Sequence, residues 1–351
     1  MAQTLSENPA KRHDELSYQV ERAAERCRES GSVGDLVRLR DLRVLAGEQL
    51  GPKAGTAWDG DAPAPPPPDL FADAAGGIPE IDGRDLDIAA LSSAMHHHGA
   101  LILRNMISPR AARGFRHGID NTMAAANAHL EATKDGGEDT RPTAMKADYM
   151  PVSEDDDDLP LRQHKAFLGK SGAIETFLSP RLAFDLFDCF ERLGFRRLLQ
   201  AYFRDEPCVS FKKSVLRRAE PLIYPAEWHQ DGAFMTTDIK SVNVWIALSE
   251  CGGGTDSPGM DLLPKRLNSI VPTGINGAAF NWSVSGTTVT ETFPDLKAAR
   301  PYFAPGDAIL FDHYNLHATS SDPAFTKTRY AIETWFFAKS RCAINQHPVY
   351  W

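Results

Sequence analysis

The hydrophobic and polar positions divide the chain into a helical first part and a β-rich second part. Between Asp14 and Leu50, apolar residues recur at helical spacing on both sides of a break at Gly31–Gly34, and charged residues fill the positions between them. This pattern predicts a helical hairpin within residues 1–50. From Val209 onward short runs of strand-forming residues appear, and glycines and prolines separate them.

The second part contains six such runs. They are VSFKKSVLR (209–217), SVNVWIAL (241–248), MDLLP (260–264), AAFNWSV (278–284), DAILF (307–311) and RYAIETWFF (329–337). Many short strands separated by turn residues predict a sandwich or a barrel. We therefore expect a mainly β fold with flanking α-helices.

A proline-rich segment separates the hairpin from the rest of the chain. Residues 51–77 include Pro63 and the run Pro65–Pro68 and show no helical periodicity, which is typical of a semi-rigid spacer. Residues 78–351 are therefore expected to form the main domain.

Two serine–proline pairs in this domain mark helix starts. Ser108–Pro109 and Ser179–Pro180 have the residue types of an N-cap followed by the first helical position, and they predict helices that run to Leu130 and Phe203. The polar stretch 133–161, with its run EDDDD, is interpreted as a solvated loop. The alternative is a lid over a pocket, because long loops near sites often close on a substrate.

Composition restricts the partners. The formal net charge of −9 argues against nucleic acid, because phosphate binding requires a positive field. No apolar run approaches the roughly 18 residues of a membrane span. Five cysteines without close spacing indicate reduced thiols and a cytoplasmic protein. We expect a small organic molecule as partner, and the oligomeric state stays open.

One short segment carries residues that could hold a metal ion. In EWHQDGAF, His229 and Asp231 stand two positions apart, and side chains two apart on a strand point to the same face. A second histidine would complete a 2-His-1-carboxylate facial triad, the donor set of non-haem Fe(II) sites with open positions. A late predicted strand ends in His317, and Arg329 opens the last predicted strand.

Other histidines compete for the same interpretation. A chain of this composition contains about one His-x-Asp triplet by chance, so the triplet alone is weak evidence. His13-x-Glu15 offers the same ligand types, but it lies in the predicted helix, where positions two apart diverge. The adjacent His96–His98 end a short helix without a matching carboxylate. We interpret them as surface or packing residues.

The second histidine ligand also has two candidates. His313 stands four positions before His317. The spacing from the Phe311–Asp312 pair and from Arg329 favours His317. For His229 and Asp231 the plainer interpretation is that both belong to a surface turn.

The ordered set of these segments resembles a known family. The set consists of His229-x-Asp231, GMDLLP at 259–264, Gly306–His317 and Arg329. It resembles the phytanoyl-CoA dioxygenase family of Fe(II)/2-oxoglutarate-dependent oxygenases over residues 78–338. The resemblance implies a double-stranded β-helix core, the jelly-roll or cupin-like barrel. One departure is Lys265–Leu267, where many members have Gly-Ser-His; that loop borders the mouth of the site, so the substrate stays open.

The resemblance also implies an activity and a ligand set. His229, Asp231 and His317 are implied as ligands of Fe(II), with 2-oxoglutarate and O2 as co-substrates. The implied reaction hydroxylates, or otherwise oxidises, a small organic substrate and forms succinate and CO2. In halogenating relatives a small residue replaces the carboxylate ligand, so Asp231 favours hydroxylation.

Four further residues have implied roles around the co-substrate. Arg329 is similar to the residue that binds the distal carboxylate of 2-oxoglutarate, for which a planar guanidinium is suited because it makes bidentate, charge-assisted hydrogen bonds. Thr319 is similar to a hydroxyl that assists it, and Trp245 to an aromatic that lines the pocket. Gln230, between the ligands, is similar either to a residue that supports the ligands from behind or to one at the pocket rim. The plainer interpretations are a strand-end charge for Arg329, a loop hydroxyl for Thr319 and core packing for Trp245.

Two neighbouring segments and the overall function have alternatives. Lys212–Lys213 and Arg217–Arg218 either bind an anionic group of the substrate or form an exposed strand face, and we favour the exposed face. Gln163–Lys165 are expected at the pocket mouth. The alternative function is a catalytically inactive jelly-roll binding or scaffold protein, against which the intact ligand set argues.

Overall fold

Two β-sheets that pack face to face form the centre of the molecule. The computed structural model describes residues 9–50, 65–74, 77–152, 172–221 and 227–351. The strands, in chain order, are β1 Glu80–Asp82, β2 Ala100–Arg104, β3 Ala173–Glu175, β4 Pro207–Ala219, β5 Trp228–His229, β6 Ser241–Ala247, β7 Cys251–Gly252, β8 Met260–Leu262, β9 Ser283–Val284, β10 Tyr302–Phe303, β11 Ala308–Phe311, β12 His317–Thr319, β13 Arg329–Ala338 and β14 Pro348–Tyr350.

The strand order is that of a double-stranded β-helix. Within the described residues, the larger sheet has the order β1-β2-β11-β6-β13-β4-β14, with β3 also paired to β4, and the smaller sheet has the order β8-β12-β5-β9. All neighbours pair antiparallel except β1 and β2. The chain alternates between the two sheets, so the jelly-roll core expected from the resemblance is confirmed.

Strand β13 shows how both faces of the larger sheet are used. Every one of its residues is buried. Ala331, Trp335 and Phe337 pack with residues of β8 inside the barrel, whereas Ile332 and Phe336 pack with the helical layer outside. A strand covered on both faces has a nearly continuous apolar sequence, which explains why RYAIETWFFA lacks the usual alternation.

The described helices are α1 Pro9–Ser30, α2 Val33–Leu50, α3 Ile88–His97, α4 Pro109–Ala132, α5 Thr143–Asp148, α6 Pro180–Arg192, α7 Phe195–Phe203, α8 Gly232–Met235 and α9 Gly286–Thr292. Helices α3, α4, α6 and α7 cover the outer face of the larger sheet. Ser108 caps α4 by accepting a hydrogen bond from the Ala111 amide, and Ser179 caps α6 in the same way. In the part of the chain that the structure describes, no helix is both long and apolar enough to cross a bilayer.

The predicted helical hairpin is confirmed and packs on the main domain. Leu16 of α1 and Leu39 of α2 belong to one hydrophobic cluster with Ala147 and Tyr350. Gly47 of α2 lies so close to the Pro348 backbone that an added Cβ would stand 2.0 Å from the Pro348 carbonyl oxygen. The helices therefore share a core with the barrel, and the domain division at residues 51–77 stays a prediction.

Two element predictions need correction. The helix expected to run from Pro180 to Phe203 is two helices, because Gly194 adopts a left-handed φ of 72° that ends one helical direction and starts another. The run AAFNWSV forms a strand only at Ser283–Val284. In both cases the apolar pattern is real, but a local turn interrupts the element.

The adjacent histidines hold the segment before the main domain. His97 Nε2 lies 2.8 Å from the Pro67 carbonyl oxygen, and His98 Nε2 lies 3.0 Å from Asp69 Oδ1. These contacts favour the packing interpretation of the cluster.

Several predictions concern residues outside the described ranges. They are residues 51–64 of the linker, the run EDDDD and Gln163–Lys165 at the expected pocket mouth, and all three stay predictions.

Candidate metal centre

The two predicted histidine ligands meet across the smaller sheet. His317 of β12 stands directly opposite His229 of β5 in the antiparallel register, and their ring centroids are 4.3 Å apart. Both side chains are buried. The predicted strand does not end in His317: β11 ends at Phe311, and His317 begins the next strand in the other sheet.

Asp231 joins the histidines by a turn rather than by strand alternation. Its φ of −61° and ψ of −25° are helical, and it precedes the short helix α8. The side chains of His229 and Asp231 do converge, as expected. The expected cause, alternation along one strand, is wrong. Ligand atoms of His229, Asp231 and His317 all lie within 4.8 Å of one another, and His317 Nε2 is 3.7 Å from Asp231 Oδ2.

Backbone carbonyls orient both imidazoles. His229 Nδ1 is 2.7 Å from the Glu227 carbonyl oxygen, and His317 Nδ1 is 3.1 Å from the Asn315 carbonyl oxygen. Because a carbonyl oxygen only accepts, each Nδ1 donates, and each Nε2 keeps its lone pair for the site. Burial lowers the pKa of His229 to about 3, which keeps this ring in the neutral form that binds metal ions.

Among the described residues, only one of the two carboxylate oxygens of Asp231 has a hydrogen-bond partner. Its Oδ1 accepts a hydrogen bond from Lys213 Nζ at 3.2 Å. Its Oδ2 is buried and has no hydrogen-bond partner among the described residues. Buried polar atoms are rarely left this way. One free carboxylate oxygen beside two imidazole lone pairs is the donor set of a facial triad, so these residues fit a divalent iron ion.

His313, the alternative ligand, lies outside the triad. It is buried in the loop after β11, and its Nδ1 is 2.9 Å from Ser241 Oγ. The structure therefore brings His317, the favoured candidate, to the site.

Arg329 is a buried cation that hydrogen bonds satisfy only in part. It opens β13, as predicted, and is 3% exposed. Its Nη1 donates to the Gly259 carbonyl oxygen at 3.1 Å, and its Nε has no partner. No carboxylate of the described residues forms an ion pair with it. Burial, and then the nearby Arg217, lower the pKa of Arg329 to about 10. A buried guanidinium in this state fits an anionic ligand.

Thr319 and Trp245 lie near this guanidinium. The Arg329 guanidinium carbon stands 5.7 Å from the centre of the Trp245 ring. The Gly259 carbonyl that accepts from Arg329 also accepts from the Ser320 amide, which brings the end of β12, with half-buried Thr319, to the same place. Trp245 is buried on the inner face of β6. The structure thus groups three of the four residues implied around a co-substrate.

Gln230 has a different set of contacts. Its Nε2 donates to the carbonyl oxygens of Ser269 and Tyr314 at 2.9 and 2.8 Å, and its Oε1 accepts from the Val271 amide at 2.7 Å. Its amide is thus fully used by the backbone of neighbouring loops. These bonds favour a positioning role beside the two ligands, and the co-substrate contact expected for Gln230 stays a prediction.

The exposed-face interpretation is wrong for Lys213 and Arg217. Lys213 reaches Asp231, and Arg217 donates from Nε and Nη2 to Glu333 Oε2 at 2.8 and 2.5 Å inside the barrel. Arg218 behaves as expected, since it reaches acidic residues at the surface. The pairs Lys212–Lys213 and Arg217–Arg218 already indicate an inward-facing charge. Neighbouring strand residues face opposite sides of a sheet, so one member of each pair must point inward.

Sequence reasoning missed an aromatic group beside the metal ligands. The Trp282 ring lies 5.6 Å from the His229 ring, stacks on Phe280 at 4.8 Å and meets Phe234 edge-on at 5.5 Å. All three are half-buried. We call Phe234, Phe280 and Trp282 the aromatic wall. Its residues come from two distant segments without a shared periodicity, so no local sequence pattern predicts the group.

Fold and site together define a double-stranded β-helix protein with a 2-His-1-carboxylate cluster. No protein-family model and no curated protein matches the chain. Solved structures with a similar fold include AviO1 from Streptomyces viridochromogenes Tue57, at 16% identity over 73% of this chain and 97% of that chain, with a TM-score of 0.41.

Two further solved structures match similar shares of the chain. SnoK from nogalamycin biosynthesis, described as a non-heme alpha ketoglutarate dependent carbocyclase, matches at 14% identity over 74% of this chain and 86% of that chain, with a TM-score of 0.43. EctD from S. alaskensis, solved with 2-oxoglutarate and 5-hydroxyectoine, matches at 14% identity over 74% and 82%, with a TM-score of 0.46. None of these similarities shows membership of the phytanoyl-CoA dioxygenase family, which stays a prediction.

Proposed function

We propose that the chain is a non-haem Fe(II)- and 2-oxoglutarate-dependent dioxygenase that hydroxylates, or otherwise oxidises, a small organic substrate. The observation that carries the proposal is a pair of unsatisfied charges inside one barrel. Among the described residues, Asp231 Oδ2 has no hydrogen-bond partner beside two imidazole lone pairs, and Arg329 forms no ion pair with a carboxylate. A divalent cation satisfies the first and a dicarboxylate satisfies the second.

The roles of the surrounding side chains follow from their contacts. His229, Asp231 and His317 would hold the iron and leave three positions open. Iron bound there supplies O2 activation coupled to decarboxylation of 2-oxoglutarate to succinate and CO2. Lys213 engages Oδ1 of Asp231, so only Oδ2 is presented to the metal. Arg329 orients the distal carboxylate of the co-substrate.

The aromatic wall supports an apolar reacting group in the substrate. The Trp282 ring of this wall lies 5.6 Å from the ring of His229, so the wall borders the proposed metal ligands. Aromatic faces exclude water and favour apolar or planar molecules. Phe234 also lies 4.4 Å from Lys213 Nζ, so the wall continues to the edge of the charged interior.

We further propose membership of the phytanoyl-CoA dioxygenase family and a cytoplasmic location. The ordered motifs support the first, and the five free cysteines support the second. The proposed partner is a small molecule rather than nucleic acid or a membrane.

An anaerobic titration tests the proposal in two steps. Fe(II) is added first and 2-oxoglutarate second, and the absorption band of the iron–keto acid chelate is followed. We expect one equivalent of each to bind, and succinate to form when O2 is admitted. Asp231→Ala should weaken both, because it removes the one charged ligand, whereas Asp238→Ala, at an exposed ion pair with Arg341, should change neither.

The outcomes separate the candidate functions. Iron binding without 2-oxoglutarate binding would indicate a metalloprotein of another class. Binding of neither would favour the inactive jelly-roll scaffold.

A further inference from the structure

Asn243 is a buried amide without a partner. It is 1% exposed, and neither its Nδ2 nor its Oδ1 has a hydrogen-bond partner in the described structure. Side-chain amides can make four hydrogen bonds, and buried ones are nearly always satisfied. The sequence motifs assign Asn243 no role, and neither the metal ligands nor Arg329 use it.

The register of β6 places Asn243 on the inner wall of the barrel. Asn243 stands opposite Phe311 on β11 and opposite Trp335 on β13. Both neighbours belong to the interior cluster, whereas Val242 and Val244 belong to the cluster under the helices. The Phe311 ring lies 4.7 Å from the His317 ring. Asn243 is therefore at the level of the metal ligands, on the opposite wall.

A second unsatisfied donor lies beside this amide. Trp335 Nε1 is buried without a partner among the described residues, and its ring meets Phe311 edge-on at 5.8 Å. Asn243 and Trp335 are direct neighbours across two strands. Two N–H donors without partners among the described residues thus belong to neighbouring residues of the inner face.

The spacing of Asn243 and Trp245 along β6 is comparable to the length of a dicarboxylate. Trp245 follows Asn243 by two positions on the same inner face, and the Arg329 guanidinium lies against Trp245. Two residues along a strand span about 6.8 Å, which is comparable to the length of an extended five-carbon dicarboxylate. One end of such a molecule at Arg329 leaves the other end at the level of Asn243 and His317.

We propose that Asn243, together with Trp335, binds the keto-acid end of the 2-oxodicarboxylate whose far carboxylate is held by Arg329. The inference rests on the proposed function and adds a binding residue to it. Asn243 Nδ2 and Trp335 Nε1 donate to the carboxylate oxygens at the metal end. A neutral amide suits this position because it donates a hydrogen bond to the carboxylate and adds no charge of its own beside the metal.

Two substitutions test the role of the amide. Asn243→Asp keeps the shape but replaces the donor with a negative charge, and Asn243→Leu keeps most of the volume without hydrogen bonds. In anaerobic Fe(II)-loaded protein, we expect the dissociation constant of 2-oxoglutarate to rise at least tenfold in both, because a hydrogen bond to a charged group is lost. The Fe(II) dissociation constant, measured without 2-oxoglutarate, should stay within about threefold of wild type, since Asn243 is not expected to touch the metal.

Thr334→Val is the matched control. Thr334 is also fully buried with an unpartnered hydroxyl, but it stands in register with Val244 on the outer face of the same sheet. Its substitution should leave 2-oxoglutarate binding unchanged.

The possible results separate the inference from the proposed function. If wild type binds no 2-oxoglutarate, the proposed function fails and this inference fails with it. If wild type binds it and both Asn243 variants bind it equally well, the inference alone is overturned, and a buried water between Asn243 and Trp335 explains the amide. If Asn243→Asp does not fold, Asn243→Leu decides the question, and Asn243→Ser replaces it if needed.

Discussion

Arg329 should lower the free energy of unfolding of the ligand-free protein and strengthen the binding of 2-oxoglutarate. Burial lowers its pKa from the ordinary arginine value to about 10, and at 1.36 kcal/mol for each tenfold change in proton affinity this is a cost of about 3 kcal/mol. The folded pKa lies below the unfolded one, so the cost is fully present at pH 7 and disappears only as the pH rises above about 10. Arg329→Met removes the cost and also loses one hydrogen bond, worth about 1 kcal/mol.

We therefore expect Arg329→Met to raise the free energy of unfolding of the metal-free protein by about 2 kcal/mol. The same change should weaken 2-oxoglutarate binding about 100-fold, because a charge-assisted bidentate contact is lost. Denaturant unfolding measures the first effect, and anaerobic titration of the Fe(II)-loaded protein measures the second.

Arg141→Met is the matched control for a satisfied buried arginine. Arg141 donates to the carbonyl oxygens of Ala125 and Tyr149, each at 2.9 Å, and forms an ion pair with Asp139. Its loss should lower the free energy of unfolding by about 2 kcal/mol or more and leave co-substrate affinity unchanged. If Arg329→Met destabilises the protein as Arg141→Met does, Arg329 is not an unsatisfied charge, and the reasoning is refuted.

Further predictions concern the rival histidine and the docking of the hairpin. His317→Gln should abolish Fe(II) binding, whereas His313→Gln should keep it; the reverse result in a metal titration would exchange their roles. Burial lowers the pKa of His313 to about 4, below its unfolded value near 6.5. The free energy of unfolding of the wild type should therefore fall as the pH falls from 6.5 to 4. Denaturant unfolding should show a smaller fall for His313→Gln over the same range. Gly47→Ala should destabilise the fold by about 3 kcal/mol because its Cβ would collide with Pro348, while Gly34→Ala, with nothing within 4 Å, should be neutral or gain up to about 1 kcal/mol. Equal thermal stability of the two alanine variants would show that α2 does not depend on this contact.

The sequence pattern predicts the strands more reliably than the turns between them. Strand β13 is buried along its whole length and its sequence is rich in β-branched and aromatic residues, so its existence and its start at Arg329 follow directly from the pattern. The break at Gly194 does not, because the apolar positions on both sides keep helical spacing, and only the left-handed backbone at that glycine divides the helix.

The site was predictable in its membership but not in its geometry. His229, Asp231 and His317 were expected from their types and order, yet Asp231 reaches the cluster through a helical turn. The contact of Lys213 with Asp231 does not follow from the sequence pattern, and the sequence pattern assigns Asn243 no role. Inward placement depends on which strands pair and in which register, and one sequence does not contain that information without the partner strands.

The packing of α2 against β14 has a consequence for the behaviour of the protein in concentrated solution. β14 pairs with β4 on one side and ends the larger sheet, and an uncovered edge strand offers free amides and carbonyls to any other extended chain. Helix α2 lies against this edge, with Gly47 at the Pro348 backbone. Removing residues 9–50 would therefore leave a barrel prone to self-association through strand addition.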